Sequence, residues 1–346
     1  MYFRIDRGVS IGHRLKGTTM SNRRLVCLEF GPPENLTFED SPVPSPGPGE
    51  VLVKITAAGV GFFDGLMVQG LYQIKPPLPY YPGSEFAGTV AEQGDGAHHF
   101  KVGTRVMGLS GGSFADYICV SEKDCTEIPP NLSDEVASGF CANYSTGLYG
   151  LQTCGQLQPG ETALILGASG GIGSSGITIA KALGARVIAA ASTQAKLDLA
   201  LASGADAGVL YSKDDWRSDF RQALGEDTLN VVYDPVGGSI SETAFRCLSP
   251  GGRFLVIGFA SGTIPSIPLN LPLLKQSSIV GVDWGGAAVA QSNLTRGLLK
   301  NLAQWIQDKK LKPAPVTVRP LSSAPSALAE QIGGEVIGKL VLKNEA

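Results

Sequence analysis

The chain is poor in the features that most often announce a function. No apolar run approaches the roughly 18 residues that a membrane span needs, so a bilayer-crossing segment is not expected in the 346 residues. Beyond the N-terminus no basic run is longer than a pair and the net charge is −3, which argues against a nucleic-acid partner. Cysteine is scarce: Cys27, Cys119, Cys125, Cys141, Cys154 and Cys247 are irregularly spaced and form no C-x-x-C. They read as reduced thiols, mostly buried as small hydrophobes, in a reducing compartment. Histidine is scarcer still, and His98 and His99, in the turn GDGAHHF, read as solvated loop residues. No fixed repeat period is present. What remains is a globular composition, 43% hydrophobic and 17% charged, whose length predicts two domains. Its 45 glycines fit a fold with many tight turns.

The most informative stretch runs from Leu164 to Leu197, LILGASGGIGSSGITIAKALGARVIAAASTQAKL. An apolar run, a Gly-rich turn, a small-residue helix and a second β-rich run follow in that order. This is the first half of a dinucleotide-binding βαβ unit, in which a pyrophosphate rests on backbone N–H groups at a helix N-terminus. In the G-x-G-x-x-G register, Ala168 replaces the first glycine while Gly170 and Gly173 keep the other two. Ser169, Gly170, Gly171, Ile172 and Gly173 are the expected pyrophosphate contacts. An acidic residue usually ends the second strand and binds a ribose 2′-hydroxyl. Here Ala191, Ser192 and Thr193 stand there, with Lys196 close behind. With no carboxylate to repel it, a 2′-phosphate fits Ser192 and Lys196, so the predicted cofactor is NADPH.

Residues 1–19 carry Arg4, Arg7, Arg14 and Lys16 against one Asp6 and are expected to be a disordered or non-native extension, or a weak mitochondrial-type presequence. From Arg24 to Val120 short β-rich runs alternate with Pro/Gly-rich turns, as in a barrel. A helix is expected over Asp134–Leu151, capped by Ser133. Strand and helix then alternate to Val282, the pattern of a parallel, doubly wound sheet. Gln291–Lys309 is predicted as a helix, and VTVRP and GKLVL as strands returning to the first domain.

Six ordered segments carry a resemblance that covers nearly the whole chain after Met20. They are Ala57–Gly88, the ASGGIG turn, VVYDPVGG (Val231–Gly238), LSPGGRFLVIGFASG (Leu248–Gly262), SIVGVDWG (Ser278–Gly285) and GKLVL (Gly338–Leu342). Together they resemble the zinc-independent quinone oxidoreductase branch of the medium-chain dehydrogenase/reductase family. The resemblance implies an α/β chain, a Rossmann doubly wound parallel sheet plus a GroES-like partly open β-barrel. It places the barrel domain at 20–145, the NADPH-binding domain at 146–285 and a return segment at 286–346, with the active site in the cleft between the domains. It implies a homodimer acting on a small-molecule quinone or α,β-unsaturated carbonyl, in the cytoplasm, or in the mitochondrial matrix if residues 1–19 are a presequence. An enoyl-thioester reductase and a non-catalytic, crystallin-like NADPH-binding protein are the alternatives. Gly61, Ser84 and Ala142 stand at the positions of catalytic zinc ligands in the related alcohol dehydrogenases, and none supplies a thiolate or imidazole, so no metal is expected.

The same resemblance assigns further residues. Tyr211 falls near the adenine ribose, and Val236 and Gly237 face the adenosine. Ile257, Gly258, Phe259, Ala260, Val282, Asp283 and Trp284 line the nicotinamide half, and Lys339 lies near the cofactor. Tyr72 touches the nicotinamide and is the candidate proton donor. Gly61 and Leu66 complete the substrate pocket. The family has Asn where Gly61 stands, and some members have a tyrosine where Leu66 stands, so this pocket is expected to be roomier and more apolar.

Overall fold

The computed structural model describes residues 21–213, 215–291 and 293–345; the expected extension at 1–19 lies outside them. The chain divides into two compact units, one running to Ala142 and resuming at Val316, the other spanning Asn143–Pro315.

The first unit opens with β1 (Ser21–Val26), β2 (Thr37–Pro42) and the long β3 (Glu50–Gly59). Helix α1 (Phe62–Val68) leads to β4 (Glu85–Gln93), β5 (Arg105–Leu109), β6 (Tyr117–Ser121) and β7 (Cys125–Glu127). The expected single helix over 134–151 is instead α2 (Asp134–Ser138) and α3 (Cys141–Leu148), followed by a π-helical turn at Tyr149–Cys154. Ser133 does cap α2, its side chain accepting from the Val136 N–H. The break falls at Gly139, where a Cβ would stand 2.7 Å from Lys339 Cγ; the chain gives way to a buried lysine.

The second unit contains β8 (Thr162–Ile165), α4 (Gly171–Ala182), β9 (Arg186–Ala191), α5 (Gln194–Ala202), β10 (Ala207–Leu210), α6 (Trp216–Leu224) and β11 (Leu229–Asp234). It continues with α7 (Ser239–Cys247), β12 (Arg253–Val256), α8 (Asn270–Lys275), β13 (Ser278–Gly281), α9 (Trp284–Ala290) and α10 (Leu294–Gln307). Its six parallel strands lie in the order β10-β9-β8-β11-β12-β13. That is the doubly wound order of two βαβαβ halves, whose switch point falls between β8 and β11. Leu164, Ile188, Trp216, Phe220, Phe245 and Phe254 belong to its core.

Residues 286–315 were expected in the return segment; they stay with this second unit, and the chain rejoins the first only at Val316. Helix α9 follows β13 after two residues, and α10 packs on α9, so both continue the wound layer. The last elements are β14 (Val316–Pro320), α11 (Ala324–Ile332) and β15 (Lys339–Lys343). They complete a seven-stranded sheet, β14-β15-β3-β4-β5-β7, with β6 paired to β3. Val51, Val53, Ile55, Phe86, Val106 and Val120 fill its interior, the alternate positions of β3 pointing inward as the period of two requires. This is the GroES-like fold. Among the described residues no two cysteines are disulfide-bonded, and no helix is long and apolar enough to cross a membrane.

Candidate functional site

In the second unit the Gly-rich turn joins β8 to α4. The left-handed residue is Gly167 (φ +56°), one position before Ala168, which explains why alanine replaces the first glycine of the pattern: the conformational demand sits one residue earlier. Val236 presses on the same spot, since a Cβ on Gly167 would stand 2.7 Å from Val236 Cγ2. Gly173 is fixed by close approach, because a Cβ there would meet the Gly167 carbonyl oxygen at 2.2 Å. Gly170 is the N-cap of α4, and no side chain caps the helix. Ser169 is buried, while Gly170, Gly171 and Ile172 are half-buried at the helix tip. An N-terminus left without a side-chain cap, carrying the positive end of the helix dipole and with glycine at 170, 171 and 173, fits a phosphate group.

At the end of β9, Ser192 and Tyr211 meet through a side-chain hydrogen bond, and the Tyr211 N–H donates to the Ala191 carbonyl at 3.0 Å. Burial raises the Tyr211 phenol above its ordinary range. Thr193 caps α5 through the Lys196 N–H, and Lys196 is half-buried on the first turn of that helix. Ser192, Lys196 and Tyr211, the three positions the sequence singles out here, thus gather at the end of β9.

Two of the three remaining cofactor segments hang from one residue the sequence reading passed over. Asp234 ends β11 and is 2% exposed. Its Oδ1 accepts from the N–H groups of Val236 (2.8 Å) and Gly237 (2.9 Å), and its Oδ2 from Ser241 Oγ (2.6 Å). Its carbonyl oxygen accepts from Ile257 N–H at 2.9 Å and Gly258 N–H at 3.4 Å. Ala260 N–H donates to Pro235 O at 3.1 Å, so the Val236–Gly237 turn and the Ile257–Ala260 turn form one body. Gly237 and Gly238 both have positive φ. Phe259 lies against that turn, 3.0 Å from where a Gly237 Cβ would stand. Val282 N–H donates to Val256 O at 2.9 Å, Asp283 caps α9 through the Gly286 N–H, and the Trp284 indole N–H is buried without a hydrogen-bond partner. The signal was available: an acid inside the apolar run VVYDPVGG is buried by its neighbours and must find backbone donors.

In the first unit Asp64, fully buried on α1, accepts from the Gly61 N–H (Oδ2, 2.8 Å) and from the Ser84 hydroxyl (Oδ1). Burial pushes its carboxyl up to about 6; the two hydrogen bonds and the Lys339 charge pull down, and Glu85 adds to the rise. Glu85 and Lys339 form a buried ion pair at 2.8 Å. The same ammonium donates to the Val60 carbonyl at 3.1 Å, and Glu85 Oε2 accepts from the Ala142 N–H at 2.9 Å. Lys339 was expected beside the cofactor. The register of β15 on β3, which sets Val341 against Gly59, brings its ammonium to Glu85 and the Val60 carbonyl.

The positions expected for zinc ligands are therefore linked by two carboxylates and carry a hydrogen, a hydroxyl committed to Asp64, and a methyl. This donor set does not fit zinc, and among the described residues no group of three His, Cys, Asp or Glu is placed to hold a metal.

Tyr72 follows α1 and is half-buried, as is Leu66. Gly61 was expected to leave room, but the space is filled. A Cβ at Gly61 would stand 2.7 Å from Cε1 of Phe63, and the Phe63 ring lies 6.0 Å from that of Tyr72, tilted by 42°.

Two family models match the chain: the alcohol dehydrogenase GroES-like domain over residues 47–130 and the zinc-binding dehydrogenase domain over 171–304. Quinone oxidoreductase-like protein 2 of Rattus norvegicus is 34% identical over 94% of this chain and 93% of its own length. Among solved structures, Escherichia coli quinone oxidoreductase complexed with NADPH superposes with a TM-score of 0.83 at 27% identity, covering 93% of this chain and 99% of that one. The CurK enoyl reductase superposes with a TM-score of 0.84 at 25% identity, covering 94% and 99%.

Proposed function

The chain belongs to the quinone oxidoreductase branch of the medium-chain dehydrogenase/reductase family, and from that premise we propose that it is an NADPH-dependent oxidoreductase acting, without zinc, on a quinone or an α,β-unsaturated carbonyl. The observation that carries the reading is the pairing of an N-terminus without a side-chain cap at α4 with a β9 end that lacks an acid. NADPH supplies a hydride when bound. The backbone of Ser169–Gly173 holds its pyrophosphate, with Gly173 keeping the turn closed. Ser192, oriented by Tyr211, and Lys196 take the 2′-phosphate, a charge-assisted contact worth about 1.5–3 kcal/mol, or one to two decades of preference over NADH. Val236, Gly237 and the Ile257–Ala260 turn, all fixed by Asp234, shape the walls for the rest of the cofactor, with Val282, Asp283 and Trp284 beside them.

Tyr72 delivers a proton to the reduced acceptor, a role typically worth 10²–10⁴-fold. A conjugated acceptor spreads the arriving charge onto a remote oxygen, so the donor set at Gly61, Ser84 and Ala142 does not handicap the reaction. A homodimer is supported by an open sheet edge: β13 ends the six-stranded sheet, Ile279 on it is 43% exposed, and Leu273 and Leu274 of the preceding α8 are each 76% exposed.

An enoyl-thioester reductase is the second reading, favoured by the CurK enoyl reductase superposition. Steady-state consumption of NADPH against quinones, linear enones and enoyl thioesters separates the two. The proposal expects turnover with quinones or enones. Turnover confined to enoyl thioesters overturns it in favour of the second reading, and tight NADPH binding with no turnover makes the protein a non-catalytic binder.

A further inference from the structure

Glycine at position 61 has no conformational reason. Its φ of −95° and ψ of 147° are ordinary extended backbone, open to any residue. It is also the N-cap of α1, where Asn, Asp or Ser are the stronger choices because their side chains reach the free N–H groups of the first turn. The dihedrals thus permit a side chain, the N-cap position favours a polar one, and the chain has neither. The steric surroundings explain it. Of the three atoms nearest to a Cβ at this position, two belong to the Phe63 ring, Cε1 at 2.7 Å and Cδ1 at 3.0 Å; the third is Asp64 Oδ2 at 2.9 Å. Asp64 is fixed by its own bonds to Ser84 and the Gly61 N–H.

The ring is also held. Phe63 and Tyr72 both pack against the cluster that includes Val60, Met67, Val68 and Leu340, and both remain partly exposed. Their centroid separation of 6.0 Å and 42° tilt fall among the favourable aromatic pair geometries.

We propose that Phe63 is a specificity-determining residue: its ring occupies the volume of the missing residue-61 side chain and, with Tyr72, offers an aromatic wall that selects planar ring acceptors over linear ones. The inference rests on the reading above that the Gly61–Tyr72 segment lines the substrate pocket. A hydrogen-bond donor at 61 would hold an acceptor oxygen whatever the skeleton behind it. An aromatic wall instead recognises the skeleton, because a flat conjugated ring gains stacking area that a flexible acyl chain does not.

The test uses the full chain as wild type, Phe63→Leu, Phe63→Ala, Gly61→Asn and the Gly61→Asn/Phe63→Ala pair, with phenanthrenequinone and trans-hexenal as acceptors. Phe63→Leu and Phe63→Ala are expected to raise KM for the quinone by up to about tenfold, the scale of one aromatic contact, and to leave KM for hexenal within about twofold. Gly61→Asn is expected to lower the melting temperature while Phe63 is present, and by less when Phe63 is alanine, the contact with Asp64 Oδ2 remaining. This stability cycle needs no turnover, so it tests the steric half of the proposal even if the wild type reduces neither acceptor, the result that would overturn the functional reading and the acceptor-selecting half with it. Equal KM changes for both acceptors, or a Gly61→Asn variant as stable as wild type with Phe63 in place, overturn the proposal.

Discussion

Asp64 makes the first unit less stable at neutral pH than at mildly acidic pH, and the size of the effect follows from its burial. The carboxyl is fully enclosed and pushed up to about 6 in spite of the Ser84 and Gly61 hydrogen bonds and the nearby Lys339 charge. Glu85 and Tyr80 also face it, and its charge helps raise the Tyr80 phenol. Unfolded, it titrates near the ordinary aspartate value of about 3.9. The native state therefore binds the extra proton between those two values. The group's contribution is fully present below about pH 4 and is lost as pH rises through about 6. The whole span of roughly two units corresponds to about 3 kcal/mol, of which about 1.4 kcal/mol is lost between about pH 5 and pH 7.5.

Asp64→Asn removes the titration while its amide oxygen still accepts from the Gly61 N–H. Denaturant unfolding of both proteins at the two pH values isolates the group. Glu122, Glu135, Glu161 and Asp206, whose carboxyls are held below their ordinary range, respond to acid in the opposite sense but are common to both proteins. The stability of the variant relative to wild type is expected to rise by about 1.4 kcal/mol from about pH 5 to pH 7.5. A difference that stays constant across that window refutes the reasoning and returns Asp64 to the ordinary carboxylate range.

Three further substitutions probe the two units. Lys196→Ala is expected to raise KM for NADPH by about 10- to 100-fold with little change for NADH; equal effects on the two cofactors remove Lys196 from the 2′-phosphate site. Tyr72→Phe is expected to lower kcat on an enone by 10²-fold or more, with NADPH binding intact by fluorescence titration; an unchanged kcat removes the phenol from proton delivery. Asp234→Ala strips the acceptors from Val236 N–H, Gly237 N–H and Ser241 Oγ. It is expected to weaken NADPH binding by at least about tenfold in protein that remains folded by circular dichroism, and unchanged affinity means the turn holds its shape without the carboxylate.

The parts legible in the sequence are those whose physics is local. The turn from β8 into α4 was readable because small residues at fixed spacing between an apolar run and a helix serve close backbone approach. The Ser133 cap was readable, and the structure has it on α2, because a serine ahead of a helical run meets the free N–H groups of its first turn. The elements that escaped depend on distant partners. Lys339 and Glu85 are 254 positions apart, so nothing local to GKLVL announces their buried ion pair. At the break, the absence of a Cβ on Gly139 leaves room for that lysine's side chain. Gly61 looked like vacant space because sequence spacing does not say where the Phe63 ring points, and Asp234 was hidden inside a segment quoted only for its likeness to a family.

The central claim is hydride transfer from NADPH to a conjugated carbonyl, and isotope transfer tests it most directly. With NADPH deuterated at the transferring position of the nicotinamide and an enone as acceptor, the account predicts that the reduced product carries the deuterium at its β-carbon. A product without deuterium there, or labelled NADPH that binds and is never consumed, contradicts it.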